Sequence, residues 1–96
     1  MAKLEKKGTT ILARWRKDTE TPDDDLVSSR TRKYAARSDG TILVCDTATF
    51  RSETGRHTWG WKVYKRGCGT GSAAEARAHA FGKLLEGNGF QRESVT

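Results

Sequence analysis

The chain has 96 residues, of which 34% are hydrophobic and 31% charged, which is enough for one domain with a small core. Its formal net charge is +6 and its pI is about 9.7, a balance that favours a polyanionic partner such as nucleic acid. The sequence has no apolar run that could span a membrane, and its start, MAKLEKKG, lacks the apolar core of a signal peptide. We therefore expect a cytoplasmic protein without membrane association.

The N-terminal half begins with a charged segment, residues 1–8, which predicts a flexible terminus. From Thr9 onward polar and apolar residues alternate, with Ala13 and Trp15 on one side and Arg14 and Arg16 on the other. This alternation predicts a half-buried first strand with a basic outer face. The loop DTETPDDDLVSS follows and lacks the glycine and terminal Glu of a calcium loop, so it predicts a solvated acidic turn.

The middle of the chain predicts a hairpin. Residues 30–38, RTRKYAARS, form the second strand, and 41–47, TILVCDT, form the third. Between them Asp39 and Gly40 are the strongest hairpin signal in the sequence. Because the third segment is apolar on both faces, we expect it to be central in the sheet.

The fourth predicted strand is HTWGWKVYKR, residues 57–66, after the connection ATFRSETGR, which is expected to turn at Thr54 and Gly55. Alternation places Trp59, Trp61 and Val63 on one side of this strand. The other side carries Lys62, Tyr64 and Arg66. We expect the tryptophan side to receive the helix.

A helix is predicted between the turn GCGTG and the sequence GNG at 87–89. Ser72 and Glu75 have the spacing of a capping box, and Gly and Asn tolerate the left-handed conformation that ends a helix. At about 100° per residue the apolar side chains fall on one arc, with Gly82 on the polar side. The members of the apolar arc are Ala73, Ala74, Ala78, Ala80, Phe81, Leu84 and Leu85.

Together these elements predict an α+β fold: an antiparallel three- to four-stranded sheet with one C-terminal helix packed on one face. The single β-β-β-β-α domain is expected to span residues 9–90, followed by a flexible C-terminus over 91–96.

The sheet face away from the helix is expected to be basic. Its predicted members are Arg14, Arg16, Lys33, Arg37, Lys62, Tyr64 and Arg66. Basic side chains on a ribbon of strands suit phosphate contacts, and Arg also reads guanine edges in the major groove. The same residues are also compatible with an ordinary solvated face.

The sequence does not match the patterns of a metal site, a catalytic site or a phosphate-binding loop. Cys45, Cys68, His57 and His79 lack the short spacings of zinc ligands, and no nucleophile and base stand at a known spacing. The GCGTG turn is neither a Walker loop nor a dinucleotide fingerprint, so a plain turn is favoured over a phosphate cradle. We expect no metal, no cofactor and no enzyme activity.

The segments KYAARSDG, GWKVYKRGCGT and SAAEARAHAFGKLLEG resemble the strands, turn and Ala/Glu/Arg helix of AP2 and integrase arm-type DNA-binding domains, over residues 30–87. In that family the sheet face away from the helix enters the major groove. The resemblance implies contact residues on the matching strands here, namely Arg32 or Lys33, Arg37, Lys62, Tyr64 and Arg66. The extra N-terminal strand and the long ATFRSETGR connection depart from the family pattern.

The leading hypothesis is a small standalone protein that binds double-stranded DNA, an accessory or regulatory factor of a phage or other mobile element. The alternative is a phage-type inhibitor or adaptor, of the anti-CRISPR or anti-restriction kind, that binds a host nucleic-acid-binding protein complex. The third is a double-stranded RNA binder, although that domain requires a helix before the strands, for which residues 1–8 are too short.

Overall fold

The computed structural model describes residues 4–52 and 55–95, so Met1 to Lys3, the predicted turn residue Thr54 and the last residue lie outside the described part. In chain order the elements are β1 (Ile11–Glu20), β2 (Val27–Arg37), β3 (Ile42–Phe50), β4 (Arg56–Thr58), β5 (Lys62–Lys65), α1 (Ser72–Gly87) and β6 (Gln91–Glu93). The strands form one antiparallel sheet in the order β4-β3-β2-β1-β6, and β5 also pairs with β3. The predicted α+β class, an antiparallel sheet with one helix packed against it, is confirmed.

The three long strands extend beyond the helix. Helix α1 contacts β1, β2 and β6, and the core cluster includes Ala13 and Trp15 of β1, Tyr34 of β2 and Val44 of β3. Toward Glu20, the β1–β2 pairing continues past these core positions. Both faces of that end of the sheet therefore lie outside the core.

The acidic loop forms a compact turn, and β2 begins at Val27, earlier than predicted. The Asp24 carboxylate accepts backbone hydrogen bonds from Leu26 and Val27 at 2.8 and 2.9 Å, which lower the pKa of Asp24. Arg51 donates to the carbonyl oxygens of Asp24 and Thr21. The Asp24 carboxylate is thus used in hydrogen bonds to backbone N–H groups of the same turn.

The Asp39-Gly40 hairpin is confirmed. The Gly40 N–H donates to the Arg37 carbonyl at 2.9 Å, the Arg37 N–H donates to the Thr41 carbonyl at 2.9 Å, and Gly40 has φ 85°. A turn closed in this way needs a residue at positive φ, which glycine adopts without steric cost.

The fourth predicted strand is interrupted at Trp59–Trp61, and this changes the side on which its residues lie. Trp59 lines a groove together with Lys17 and Arg32, on the helix side of the sheet, whereas the Trp61 ring lies near the Arg14 guanidinium on the opposite side. Val63 pairs with Leu43, also away from the helix. The prediction that both tryptophans point the same way is wrong, because the strand is interrupted between Thr58 and Lys62 and alternation restarts at β5.

Residues 91–93, expected to belong to a flexible tail, form β6. They pair with Arg14 to Arg16 of β1 and extend the sheet beyond the four predicted strands. Phe90, directly before β6, packs on the core cluster and directs the chain back along β1.

Helix α1 ends as predicted but begins differently. The Gly89 N–H donates to the Glu86 carbonyl and the Phe90 N–H to the Leu85 carbonyl, and Gly89 has φ 90°, which together define a Schellman motif. At the other end Gly71, with φ 66°, is the N-cap, and no side-chain hydrogen bond caps the helix. The predicted capping box is wrong, because Ser72 is already the first helical residue.

The core forms between helix α1 and strands β1, β2 and β3. Trp15 is fully buried, its ring meets Phe81 edge to face at 5.9 Å, and Phe81 meets Tyr34 at 5.2 Å. Gly82, predicted to be polar-facing, is buried against Trp15, while Leu84 of the predicted apolar arc is 61% exposed.

The prediction that Phe81 and Leu85 pack on Trp59, Trp61 and Val63 is therefore wrong. Both helix residues belong to the cluster that contains Trp15, whereas Trp59 and Val63 are about half exposed. The alternation of the fourth segment did not indicate which of its sides the helix would cover.

Arg77, which interrupts the predicted apolar arc, connects the helix to the sheet. Its Nη1 atom donates to the carbonyl oxygens of Gly40 at 3.1 Å and Arg66 at 2.5 Å. Cys68 also packs on the turn, since a Cβ on Gly40 would lie 2.5 Å from the Cys68 Sγ atom. These contacts give the GCGTG segment a structural role beside the Asp39-Gly40 turn.

Gly82→Ala is expected to destabilise the protein by about 1–2 kcal/mol, although alanine favours helices by up to about 1 kcal/mol. The added Cβ would lie 2.9 Å from the Trp15 Cζ2 atom, and a fully buried ring has little room to shift. Gly87→Ala is the matched control, because its Cβ would meet nothing within 4 Å. Urea denaturation of both variants tests the contact, and equal stability of the two would contradict it.

Candidate nucleic-acid interface

Arg14, Arg16 and Lys33 lie together on the sheet face opposite α1, as alternation predicted. Arg16 pairs with Lys33 across β1 and β2, two positions along from the pair of Arg14 with Ala35. We call this surface the open face. Its further lining residues are Asp18, Glu20, Ser29, Thr31, Cys45, Thr47, Thr49, Arg56, Thr58 and Trp61.

Arg16 is partly neutralised within the open face. Its guanidinium binds the Asp18 carboxylate, with Nε 3.1 Å from Oδ2 and Nη2 3.1 Å from Oδ1. The Thr31 hydroxyl donates to the same carboxylate. The hydrogen bond from Thr31, followed by that from Arg16, lowers the pKa of Asp18, so this carboxylate remains charged at neutral pH.

Arg14 is held against an aromatic ring. Its guanidinium carbon lies 5.9 Å from the centroid of Trp61, a cation–π contact. The Nε atom is buried and has no hydrogen-bond partner among the residues that the structure describes. Sequence reasoning assigned Trp61 to the core, whereas the structure places it beside a basic residue of the open face.

Arg56 is the basic residue that sequence reasoning missed, because it lies in the segment interpreted as a connection. It belongs to β4, pairs with Thr49 and lines the open face. Beside it the hydroxyl groups of Thr47 and Thr58 are 3.0 Å apart. Residues 56–58 are all polar, so alternation offered no signal for this strand.

Arg32 lies on the other side of the sheet from Lys33 and has a partner there. Its Nε and Nη2 atoms donate to the Asp46 carboxylate at 2.7 and 3.1 Å, and Nη1 lies 3.5 Å from the Tyr34 hydroxyl. The bond to Asp46 raises the pKa of Arg32. Of the two residues that the resemblance offered, Lys33 is the one on the open face.

Arg37 is a structural residue of the hairpin. It is 8% exposed, its Nη2 atom donates to Asp39 at 2.9 Å and to the Thr41 hydroxyl at 3.1 Å, and the Thr41 N–H donates to Asp39 as well. The hydrogen bond from Arg37 holds the pKa of Asp39 far below its usual range. The expectation that Arg37 lies free on a binding face is wrong, since a carboxylate two residues away on the same side binds it.

Lys62 and Tyr64 are not on the open face. Lys62 pairs with Val44, a core residue on the helix side, and the Tyr64 ring contacts Tyr34 and Phe81 at 5.2 and 5.8 Å. The prediction reversed the two sides of this strand. Arg66 is exposed just after β5, where its carbonyl accepts the hydrogen bond from Arg77.

The described histidines and cysteines do not converge. Within residues 4–52 and 55–95, no three His, Cys, Asp or Glu side chains are grouped closely enough to hold a metal ion. Cys45 donates to the Trp59 carbonyl at 3.0 Å, and burial raises the pKa of its thiol. In the same part of the chain no helix has the length and apolarity needed to cross a membrane.

Comparison of the chain with family models, curated proteins and solved structures found no match. The resemblance to AP2 and integrase arm-type domains therefore stays a prediction.

Asp39→Asn is expected to cost roughly 2 kcal/mol of stability at neutral pH, because it leaves the buried Arg37 guanidinium without its charged acceptor. The folded-state pKa of Asp39 is lowered, so this contribution is present above the ordinary Asp pKa of about 3.9 and is lost as pH falls toward the lowered value. Denaturation of wild type and variant should show a smaller difference in the free energy of unfolding below pH 4 than at pH 7.

Asp18→Asn is the matched control for this measurement. Asp18 also pairs with an arginine two residues away, but the pair is exposed, and such pairs contribute about 0–1 kcal/mol. If Asp18→Asn lost as much stability as Asp39→Asn, burial of the ion pair would not explain the larger contribution expected for Asp39.

Proposed function

We propose that this protein binds double-stranded DNA with the open face of its sheet. The observation that carries the proposal is the position of Arg14, Lys33 and Arg56 on three strands of the sheet face opposite α1. None of the three forms an ion pair with a residue in the described part of the chain. Unpaired basic side chains on one surface suit a polyanionic ligand.

The dimensions of this face suit a DNA groove. Neighbouring strands lie about 4.8 Å apart, and Lys33 and Arg56 lie opposite β3 residues four positions apart, so the two basic residues are separated by roughly 16 Å. The major groove of B-DNA is about 12 Å wide and accepts a ribbon of strands. In this arrangement Lys33 and Arg56 contact phosphates on the two sides of the groove.

The polar side chains between the basic residues support the same function. Thr31, Thr47, Thr49 and Thr58 present hydroxyl groups on the open face. Hydroxyl groups of Ser and Thr donate to phosphate oxygens in protein–DNA complexes. Asp18 lies in the same cross-strand row as Thr31, and Glu20 in the same row as Arg56, both on β1 at the far side of the face from β4. The phosphate contacts are therefore expected on the part of the face formed by β2, β3 and β4.

Lys33→Ala and Arg56→Ala are each expected to weaken binding to duplex DNA and to make the slope of log affinity against log salt shallower by about 0.9. Each removes one phosphate contact, so every DNA sequence should be affected alike. Fluorescence anisotropy with a labelled duplex at several salt concentrations measures both quantities.

Lys83→Ala is the control, since Lys83 is an exposed basic residue on the helix, away from the open face. It should retain the wild-type slope, and all three variants should unfold at similar urea concentrations. If Lys33→Ala and Arg56→Ala bind duplex DNA as well as Lys83→Ala does, the DNA proposal fails.

Two further arms of the experiment address the other hypotheses. Tighter binding of duplex RNA than of duplex DNA, through the same residues, would favour the RNA alternative. Recovery of one protein in a nuclease-treated pull-down, abolished by Lys33→Ala, would instead assign the open face to a protein partner.

A further inference from the structure

A second surface lies on the opposite side of the same strands, where α1 does not cover the sheet. It is a groove of about 740 Å³, lined by Lys17, Arg30, Arg32, Asp46, Trp59 and Lys62. Lys17 pairs with Arg32 and Arg32 with Asp46, and the Trp59 N–H donates to the Asp46 carbonyl. One row of neighbours therefore crosses the sheet from a lysine to a tryptophan.

Trp59 is held in position although its side chain is exposed. The residue is 48% exposed, and its ring meets His57 edge to face with centroids 4.6 Å apart. Its backbone is fixed on both sides, through the N–H bond to Asp46 and the bond from the Cys45 thiol to its carbonyl at 3.0 Å. A large aromatic residue fixed in this way but left open to solvent is a platform for a planar ligand.

The charges around the ring are mostly positive. Arg32 is bound to Asp46, and Lys17 donates to the Asn88 carbonyl at 2.7 Å. Arg30 and Lys62 are exposed and form no ion pair with residues that the structure describes. The groove thus combines one exposed aromatic ring with two uncommitted basic groups.

We propose that this groove binds single-stranded nucleic acid, with one base stacked on Trp59 and the adjoining phosphates on Arg30 and Lys62. An unpaired base has an open face for stacking, whereas a duplex has none, and sites for single strands combine aromatic rings with basic side chains. The groove volume lies within the range of about 300–1,000 Å³ that is typical of small-ligand sites. An acidic peptide would use the basic groups and leave the ring without a partner.

The three residues proposed to bind the single strand, Trp59, Arg30 and Lys62, do not belong to the open face, although Thr31 and Thr47 line both surfaces. A failure of duplex binding on the open face would therefore not contradict single-strand binding in the groove, and a failure of single-strand binding would not contradict duplex binding.

The test uses oligothymidylate and oligouridylate of about a dozen nucleotides, a length within the known site sizes for single strands. In the Trp61→Phe variant Trp59 is the exposed tryptophan and Trp15 is fully buried, so quenching of fluorescence reports stacking on Trp59. Trp59→Ala should lower affinity about 5- to 150-fold, as measured by anisotropy of the labelled oligonucleotide, whereas Trp59→Phe should retain most of it.

Arg30→Ala and Lys62→Ala should each make the salt slope shallower by about 0.7, the value for one contact on a single strand. Lys83→Ala again serves as the unchanged control. Equal binding of the two oligonucleotides would identify a site for either nucleic acid, and a preference would identify the sugar that it selects; both outcomes support the proposal.

Three results would overturn it. The first is unchanged affinity in Trp59→Ala with a wild-type melting curve. The second is competition by an oligoglutamate of the same length as effectively as by oligothymidylate. The third is loss of single-strand binding in Lys33→Ala or Arg56→Ala but not in Arg30→Ala, which would place the strand on the open face.

Discussion

The contact of Trp15 with Gly82 of helix α1 is the constraint on which the rest of the structure depends. The indole is fully buried, lies against Gly82 and meets Phe81 edge to face. A side chain at position 82 would keep the helix away from the ring, so the small residue sets how closely helix and sheet approach. By drawing the helix onto β1 and β2, this contact decides which sheet face is covered and which remains open.

Some arginines of this chain are bound to carboxylates and have a structural role, whereas others form no ion pair with the residues that the structure describes. Arg16 and Arg37 each bind an aspartate two residues further along, and Arg32 binds Asp46 on the neighbouring strand. Residues i and i+2 of a strand share a face, so the pair of Arg16 with Asp18 follows from alternation along β1. Asp39 lies in the turn after β2, and its pair with Arg37 depends on the hairpin. The third pair needs the register between β2 and β3, which only the folded sheet supplies.

The length of the central strands gives this small protein two separate polar surfaces. The core and the helix occupy one end of the β1–β2–β3 sheet, and at the other end both faces lie outside the core cluster. One face presents basic and hydroxyl side chains along neighbouring strands, and the other presents an exposed tryptophan beside basic groups. The two surfaces suit different ligands for this reason: a ribbon of strands suits a duplex groove, and an exposed aromatic ring suits an unpaired base.

The sequence alone was sufficient for the fold class, the Asp39-Gly40 hairpin, the end of the helix at Gly89 and the grouping of Arg14, Arg16 and Lys33. Each depends on local chemistry, namely strand alternation or a glycine at positive φ. Tertiary structure decided the start of the helix, the pairing of β6, the break at Gly60 and the side on which Lys62 and Tyr64 lie. Alternation separates the residues on the two sides of a strand but does not say which side faces the helix. Only packing against Trp15 determines which side the helix covers.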